Sequence, residues 1–248
     1  MRILHIDIET YPHEVLAWGL WDQNINLNQI VKPGYTLCFT AKWHKDSDII
    51  FKSVHHDGEE TMVKQAWQLL DEADAVTTWN GNKFDLPVLN KDFLLCKLGP
   101  PSPYKKIDLL KTARRQFKLA SNKLDYVAQQ LGIGKKLPHK GMDLWRECQQ
   151  GDEEAWATMK DYNIQDVLLL EEVYESLLPW VDAHPNHNLY GDFSRPVCTN
   201  CGSHHVTRRG VYNTNTMTYQ RYQCQGCGKW MRGRTNILTK EQRGNIIV

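Results

Sequence analysis

Residues 2–8 alternate in character. Leu4, Ile6 and Ile8 fall on one side of an extended chain, and Ile3, His5, Asp7 and Glu9 on the other, which is the two-residue period of a strand. Residues 14–20, 36–43 and 49–54 read as further strands, with Asp22-Gln23-Asn24 as a turn, so a β-meander opens the chain. The period then changes. Residues 59–73 place Met62, Ala66, Leu69 and Leu70 at helical spacing. A short strand at 75–79 runs into the loop Asn80-Gly81-Asn82-Lys83, and a helix follows Pro87, since proline fits a first turn. Ile107-Asp108 ends another short strand. A helix after Ser121, read as its N-cap, carries Leu124, Val127, Ala128 and Leu131 on one face and is closed by Gly132 and Gly134. Residues 153–178 continue as helix up to Pro179. Meander, then alternating strand and helix, then helices: the order specifies an α/β domain, a mixed sheet flanked by helices.

Length changes the picture little. The 248 residues, 41% hydrophobic with nine Trp, suffice for one domain over 1–182 and a small module over 197–248, joined by an aperiodic linker at 183–196. No apolar run approaches the roughly 18 residues of a membrane span. Charge arrives too early after Met1 for a signal peptide, so a soluble cytoplasmic protein is expected. Charge is more informative. Residues 1–189 hold 21 Lys/Arg against 27 Asp/Glu, a net −6, whereas 190–248 hold nine against two, a net +7. A basic end on an acidic body is suited to meeting a polyanion. Seven cysteines, an odd number, argue against a disulfide framework. Cys38, Cys96 and Cys148 are scattered and read as ordinary buried thiols.

Asp7 and Glu9, two apart in a strand, leave the same face at the end of an apolar run. Mutual repulsion there is relieved by a divalent cation, or by water if the strand end is solvated. Asp85, in Asn80-Gly-Asn-Lys-Phe84-Asp85, sits before a helix and suits either an N-cap or a functional carboxylate held by rigid elements. Tyr162 and Asp166, four apart, share a helix face, and Leu168–Leu170 anchor that helix. His5 reads as a half-buried structural histidine. No Ser/His/Asp set or phosphate-cradling Gly-Lys-Ser/Thr loop competes for the chemistry.

Taken in order, Asp7-x-Glu9, Asn80-Gly-x-x-Phe84-Asp85 and Tyr162-x-x-x-Asp166 resemble the three motifs of the DEDD exonuclease superfamily. The tyrosine is similar to that of its DEDDy branch, which includes the proofreading 3′→5′ exonucleases of family-A and family-B DNA polymerases. Ile107-Asp108-Leu109, Lys123–Ala128 and Gly132–Lys136 also resemble the family-B version. The resemblance covers about residues 1–180. It implies a ribonuclease H-like five-stranded mixed sheet and two catalytic Mg²⁺ or Mn²⁺ ions. It also implies roles: Asp7 between the ions, Glu9 and Asp166 at the ion that activates water, Asp85 at the second, and Tyr162 on the attacking water. With a pKa of about 10 the phenol is a poor base, so the metal must acidify that water. Thr10, Asn80 and Phe84 are placed near the substrate by the motifs, although Phe84 suits a core equally well. Lys135 and Lys136 are either phosphate contacts or a solvated pair.

Cys198-Thr-Asn-Cys201-Gly and Cys224-Gln-Gly-Cys227-Gly form two Cys-x-x-Cys knuckles, enough for a closed tetrahedral Zn²⁺ site of a structural kind. The segment resembles a zinc ribbon. His204 and His205 are spare ligands, and a redox use would need a thioredoxin-like context that is missing. Arg208, Arg209, Arg221, Lys229, Arg232 and Arg234 beside Tyr212, Tyr219, Tyr222 and Trp230 offer a surface for a nucleic-acid strand, with a protein partner as the rival occupant. The expected protein is a stand-alone, metal-dependent 3′→5′ exonuclease acting on single-stranded or 3′-ended DNA. An RNA exonuclease, a structure-specific nuclease and a non-catalytic nucleic-acid adapter are the alternatives.

Overall fold

The computed structural model describes residues 1–191 and 195–248. The chain divides between Tyr174 and Glu175 into two compact units. In the larger unit the elements are β1 (Ile3–Tyr11), β2 (Glu14–Val15), β3 (Ile30–Lys32), β4 (Tyr35–Trp43), β5 (Ile49–Ser53), α1 (Glu59–Asp71), β6 (Ala75–Thr78), α2 (Asp85–Leu95), β7 (Lys105–Asp108), α3 (Leu109–Gln116), α4 (Leu124–Gln130) and α5 (Met142–Gln149). The long helix α6 (Glu153–Leu177) runs past the division. The smaller unit adds β8 (Val206–Asn213), β9 (Thr218–Cys224), β10 (Trp230–Asn236) and α7 (Lys240–Gly244).

Five strands form one mixed sheet in the order β5-β4-β1-β6-β7. β1 lies at its centre, antiparallel to β4 and parallel to β6. Its alternation sorts side chains between two cores. Leu4, Ile6 and Ile8 pack with Phe39 and with Met62, Ala66, Leu70, Leu86 and Leu89 of α1 and α2. Tyr11, on the other face, joins Leu37, Cys38, Leu144, Trp156, Met159 and Tyr162 of β4, α5 and α6. Asp7 and Glu9 share this second face, so the sheet holds them against α6. Pairing with β4 slips by one residue between Glu9 and Thr10, a bulge of the kind that re-aims a side chain at a strand end.

Several expectations need correction. The strand expected over 14–20 is only Glu14–Val15, paired with β3 outside the main sheet. β4 takes the place beside β1 directly, so neither side of the Val15–Leu20 alternation finds a sheet to pack on, and Leu16, Trp18 and Leu20 are exposed. α2 begins at Asp85, two residues before Pro87, which occupies the first turn where a missing N–H costs nothing. Phe84 is its N-cap residue, so Asp85 does not cap the helix. α4 has Lys123 as its N-cap residue; the Ser121 hydroxyl accepts the Lys123 N–H at 3.3 Å instead of capping. Leu131 falls just past the last turn and is exposed, unlike Leu124, Val127 and Ala128. His5 is fully buried rather than half-buried, with Nε2 3.2 Å from Nδ1 of His44. Cys38 and Cys148 are buried as expected, and Cys96 is partly exposed.

In the smaller unit the last turn of α6 is followed by a 3-10 turn at Leu178–Trp180. The expected linker at 183–196 contains another short 3-10 turn, His187–Leu189, and its residues 192–194 lie outside the described residues. The Asn200 amide donates to the carbonyls of Leu178 and Val181 at 2.8 and 2.9 Å. β8, β9 and β10 form an antiparallel three-stranded sheet in the order β10-β9-β8.

Trp156 is the largest fully buried side chain, and its indole N–H donates to the Cys148 carbonyl at 2.9 Å. Trp156→Ala is expected to cost about 3–5 kcal/mol of stability, the usual range for emptying such a site. Urea unfolding checks this; a loss below about 1 kcal/mol would mean that the ring does not support α6.

Candidate active site

Three elements deliver the carboxylates. β1 supplies Asp7 and Glu9, the start of α2 supplies Asp85, and α6 supplies Asp166. Oxygens of Asp7, Glu9 and Asp166 lie within 4.8 Å of one another. Asp85 is 4% exposed, and its Oδ1 accepts the Ile8 N–H at 3.2 Å. That bond fixes it behind the strand that carries the other two acids. On α6, Tyr162 and Asn163 stand one turn before Asp166. The Asn163 amide donates to Asp7 Oδ2 at 2.8 Å. The Tyr162 ring is held edge-on by His139 and Trp145, at centroid distances of 4.9 and 6.3 Å.

Lys136 is the cation of the site. Its ammonium donates to the Tyr162 hydroxyl at 3.1 Å and to Asp166 Oδ2. Asp125 on α4 accepts the Lys136 backbone N–H at 2.8 Å, so the lysine is aimed by the turn that precedes it. The other Asp166 oxygen, Oδ1, is buried with no hydrogen-bond partner.

The electrostatics follow from this crowding. Burial, then Asp85, Glu9 and Asp166, push the Asp7 carboxyl well above the usual range. Burial and Asp166 push Glu9 up to about 8. Burial pushes Asp85 up to about 6, and burial raises Asp166 in spite of Lys136. The Tyr162 phenol is pushed up to about 12 by burial and by Asp166. For Lys136, burial pulls downward, but Asp166 and Tyr162 prevail and hold the ammonium charged. One lysine against four acids leaves surplus negative charge among oxygen donors, with one buried oxygen unpaired. That donor set fits hard divalent cations.

A cleft of about 440 Å³ opens beside the carboxylates, lined by Asp7, Trp79, Asn80, Leu124, Asp125 and Lys136 among others. Asn80 adopts a left-handed backbone, φ +70°, and its N–H donates to Asp108 Oδ1 at 3.1 Å. A Cβ on Gly81 would meet Thr78 at 2.4 Å, so glycine is required for the loop to fold back on β6. Phe84 is 45% exposed, which removes the core alternative. Thr10 is half-buried just past the bulge, and Lys135 is exposed while Lys136 enters the site. Sequence reasoning missed Asn163 and Asp125. Asn163 lies three residues before Asp166, so the helical spacing that linked Tyr162 to Asp166 includes it. Asp125 carried no such signal, because its bond is to a backbone N–H eleven residues away.

In the smaller unit the four Sγ atoms of Cys198, Cys201, Cys224 and Cys227 lie within 4.8 Å of one another. The pairs Cys198–Cys227 and Cys201–Cys224 are 3.6 Å apart, far longer than the roughly 2.05 Å of a disulfide. Each knuckle closes on a glycine with positive φ, Gly202 at +71° and Gly228 at +83°. The N–H groups of Gly226 and Cys227 point to Cys224 Sγ at 3.3 and 3.4 Å, the polarity that favours a thiolate. Hydrogen bonds from Cys201 and Cys227 drive the Cys198 thiol strongly down. His204 and His205 are exposed, and neither belongs to the cluster. The expected strand contacts divide. Arg209 lies 5.8 Å from the Trp230 ring, whereas Arg208 is opposite Tyr222 and lines a separate cavity.

The RNase_H_2 family model, described as RNase_H superfamily, matches residues 4–178. This chain belongs to the RNase_H superfamily. The match covers the central sheet and α6, so the α/β, ribonuclease H-like fold expected from the motifs is the fold of this chain. A DNA polymerase of Methanocaldococcus jannaschii is 25% identical over 205 residues, covering 72% of this chain and 11% of that protein. The family B DNA polymerase of the hyperthermophilic archaeon Pyrobaculum calidifontis has a similar fold, with a TM-score of 0.54 and 18% identity over 72% of this chain and 24% of that one. The chain therefore spans only a small part of these relatives. Among the described residues no helix is long and apolar enough to cross a membrane.

The raised carboxyls make a pH prediction. In the unfolded chain Glu9 ionises near 4.5, but in the folded chain only near 8. Without metal, its stabilising contribution is complete below about pH 4.5 and is lost as pH rises through about 8. Urea unfolding in chelator should show stability falling across that window, and Glu9→Gln should flatten the fall. An identical pH dependence in the variant would remove Glu9 from the buried cluster.

Proposed function

We propose that this chain is a metal-dependent 3′→5′ exonuclease that hydrolyses phosphodiester bonds of DNA. The observation that carries the reading is the convergence of Asp7, Glu9 and Asp166, backed by Asp85 and bordered by Tyr162 and Lys136. In this reading Asp7, Glu9 and Asp166 would hold Mg²⁺ or Mn²⁺, with Asp85 contributing to a second ion. Bound ions of this kind supply an acidified water and relief of charge on the leaving oxygen. The protein supplies position. The Tyr162 phenol, protonated at neutral pH, hydrogen-bonds the attacking water and aims it. Lys136 exchanges its bond to Asp166 for the phosphate of the substrate, and Asn163 keeps Asp7 in place. Asn80, Phe84 and Thr10 flank the terminal nucleotide, and Lys135 meets the backbone beyond it.

DNA as substrate is supported by the polymerase relatives, and the polarity by the resemblance of the three motifs to DEDDy exonucleases. The same reading assigns one structural Zn²⁺ to the four cysteines. A closed site of four thiolates has no open position for chemistry, and its role is to fold a small unit with little core of its own. A cytoplasmic location goes with this reading, since free thiolates persist in a reducing compartment.

Digestion of 5′-labelled single-stranded DNA in Mg²⁺ or Mn²⁺, with no polymerase added, tests the proposal. A ladder shortening one nucleotide at a time is expected, absent with EDTA and in Asp7→Asn or Asp166→Asn. Tyr162→Phe should lose about 10²–10⁴-fold in single-turnover rate, the scale of a positioned proton-handling group. Internal fragments, degradation of RNA alone, or binding without cleavage would each replace this reading by one of the alternatives. Elemental analysis should find one zinc per chain. A Cys198→Ser protein with unchanged zinc content and unchanged stability would contradict the structural role.

A further inference from the structure

The sheet of β8, β9 and β10 has two unlike faces. Alternation along β9 puts Tyr219, Arg221 and Gln223 on one side and Gln220 and Tyr222 on the other. The register places Arg232 opposite Arg221, Trp230 opposite Gln223, and Tyr212 opposite Tyr219. The first face is therefore a field of interleaved guanidiniums and rings. Arg221 lies 4.8 Å and Arg209 5.8 Å from the Trp230 ring centroid. Arg232 lies 4.1 Å from Tyr219 and 5.8 Å from Tyr212. Arg209 is further held by Gln223 at 2.7 Å, and Arg221 by the Arg209 carbonyl at 2.8 Å.

Three cations in one row would ordinarily attract carboxylates. Among the described residues, none of the three arginines has a carboxylate partner. The rings take that place. A guanidinium stacked on an aromatic face keeps its in-plane N–H groups free for a bidentate anion such as phosphate. Trp230 and Tyr212, each 46% exposed, leave ring surface on which bases can stack. Arg209, Arg221 and Arg232 stand on three adjacent strands, a row about 10 Å across at normal strand spacing.

The opposite face is built differently. Its Gln220 and Tyr222 line a cavity of about 550 Å³ together with Arg208, Arg234 and Arg232. Lys229 is also engaged, donating to the Val181 carbonyl at 3.1 Å and lying 3.6 Å from Asp182. The first face is the one that carries these cation–ring contacts and the two exposed rings.

We propose that Arg209, Arg221 and Arg232, with Trp230 and Tyr212, form a sequence-independent site for single-stranded nucleic acid. The guanidiniums hold phosphates and the two exposed rings support bases. The assignment rests on the nucleic-acid substrate proposed above but not on the cleavage chemistry. Arg208, Arg234 and Lys229 lie outside the site.

The test is fluorescence anisotropy of a labelled oligothymidine with the full chain carrying Asp7→Asn, without divalent metal, over a range of salt. Arg209→Ala/Arg221→Ala/Arg232→Ala should weaken binding at least tenfold. It should also lower the slope of log affinity on log salt by about 2, the share of three phosphate contacts on a single strand. Arg221→Lys/Arg232→Lys should keep that slope and still weaken binding, because charge remains while the stacked fork is lost. Trp230→Ala should weaken binding about fivefold or more, the lower end of base–ring stacking. Each variant is accepted only with full zinc content. A triple variant that binds like its parent, or an equal loss in Arg208→Ala/Arg234→Ala, would overturn the assignment. So would a parent chain that binds no oligonucleotide. Polyglutamate displacing the oligonucleotide equally well per charge would also overturn it, and would point to an acidic protein. A chain that binds as expected but never cleaves with Asp7 restored would sink the nuclease reading and leave this site standing.

Discussion

Four carboxylates held together against their own repulsion set the terms for the larger unit. Asp7, Glu9, Asp85 and Asp166 come from three elements far apart in sequence, and none would gather there for its own stability. The force comes from beneath. β1 is fixed on one face by Leu4, Ile6 and Ile8, and α6 is fixed beyond Asp166 by buried Leu169, Leu170, Val173 and Tyr174. Burial of those side chains, each contributing about 1.5–3 kcal/mol, offsets the strain of the acids. The site is thus a consequence of packing, and the acids are passengers on elements whose apolar sides decide where they lie.

Lys136 moderates the repulsion but does not remove it. Its ammonium serves Asp166 and Tyr162 at once, while among the described residues Asp7 and Glu9 have no ion pair of their own. Asn163 meets Asp7 with a neutral amide, which positions the carboxylate without neutralising it. This leaves a site with surplus negative charge and an unpaired oxygen on Asp166, stable enough to persist and suited to a cation that the protein does not itself provide. A second polar group farther along the same face, His5 with His44, Glu171 and Lys42, is resolved differently. There Lys42 and the Lys45 N–H satisfy Glu171, and burial, with His44, lowers His5 to about 3, keeping it neutral. In this group the carboxylate has its own cation and only a neutral imidazole nitrogen, His5 Nδ1, is left unpaired; at the active site the unpaired atom is a carboxylate oxygen.

What could be read in the sequence follows the same division. Asp7 and Glu9 were legible because strand alternation fixes their common face, and Tyr162 and Asp166 because helical spacing does. Asp85 was legible only as one of two alternatives, since its decisive contact, the Ile8 N–H, is 77 residues away. The strand expected over residues 14–20 is shorter for a related reason. Alternation at 14–20 describes a chain able to form a strand, but whether it does depends on a free sheet edge, and β4 already occupies the one beside β1. Lys136 was visible as a lysine near the site, yet its separation from exposed Lys135 depends on the turn held by Asp125.

The smaller unit solves its folding problem by other means, and charge shows why the two belong in different chemical terms. With little apolar core, its strands are anchored by four converging sulfurs, and its surface is free to carry arginine. Residues 1–189, at −6, repel a phosphate backbone, while the +7 of residues 190–248 attracts one. Among the described residues Arg209, Arg221 and Arg232 meet aromatic rings and no carboxylate, so the positive charge of residues 190–248 stays uncancelled where those rings are exposed.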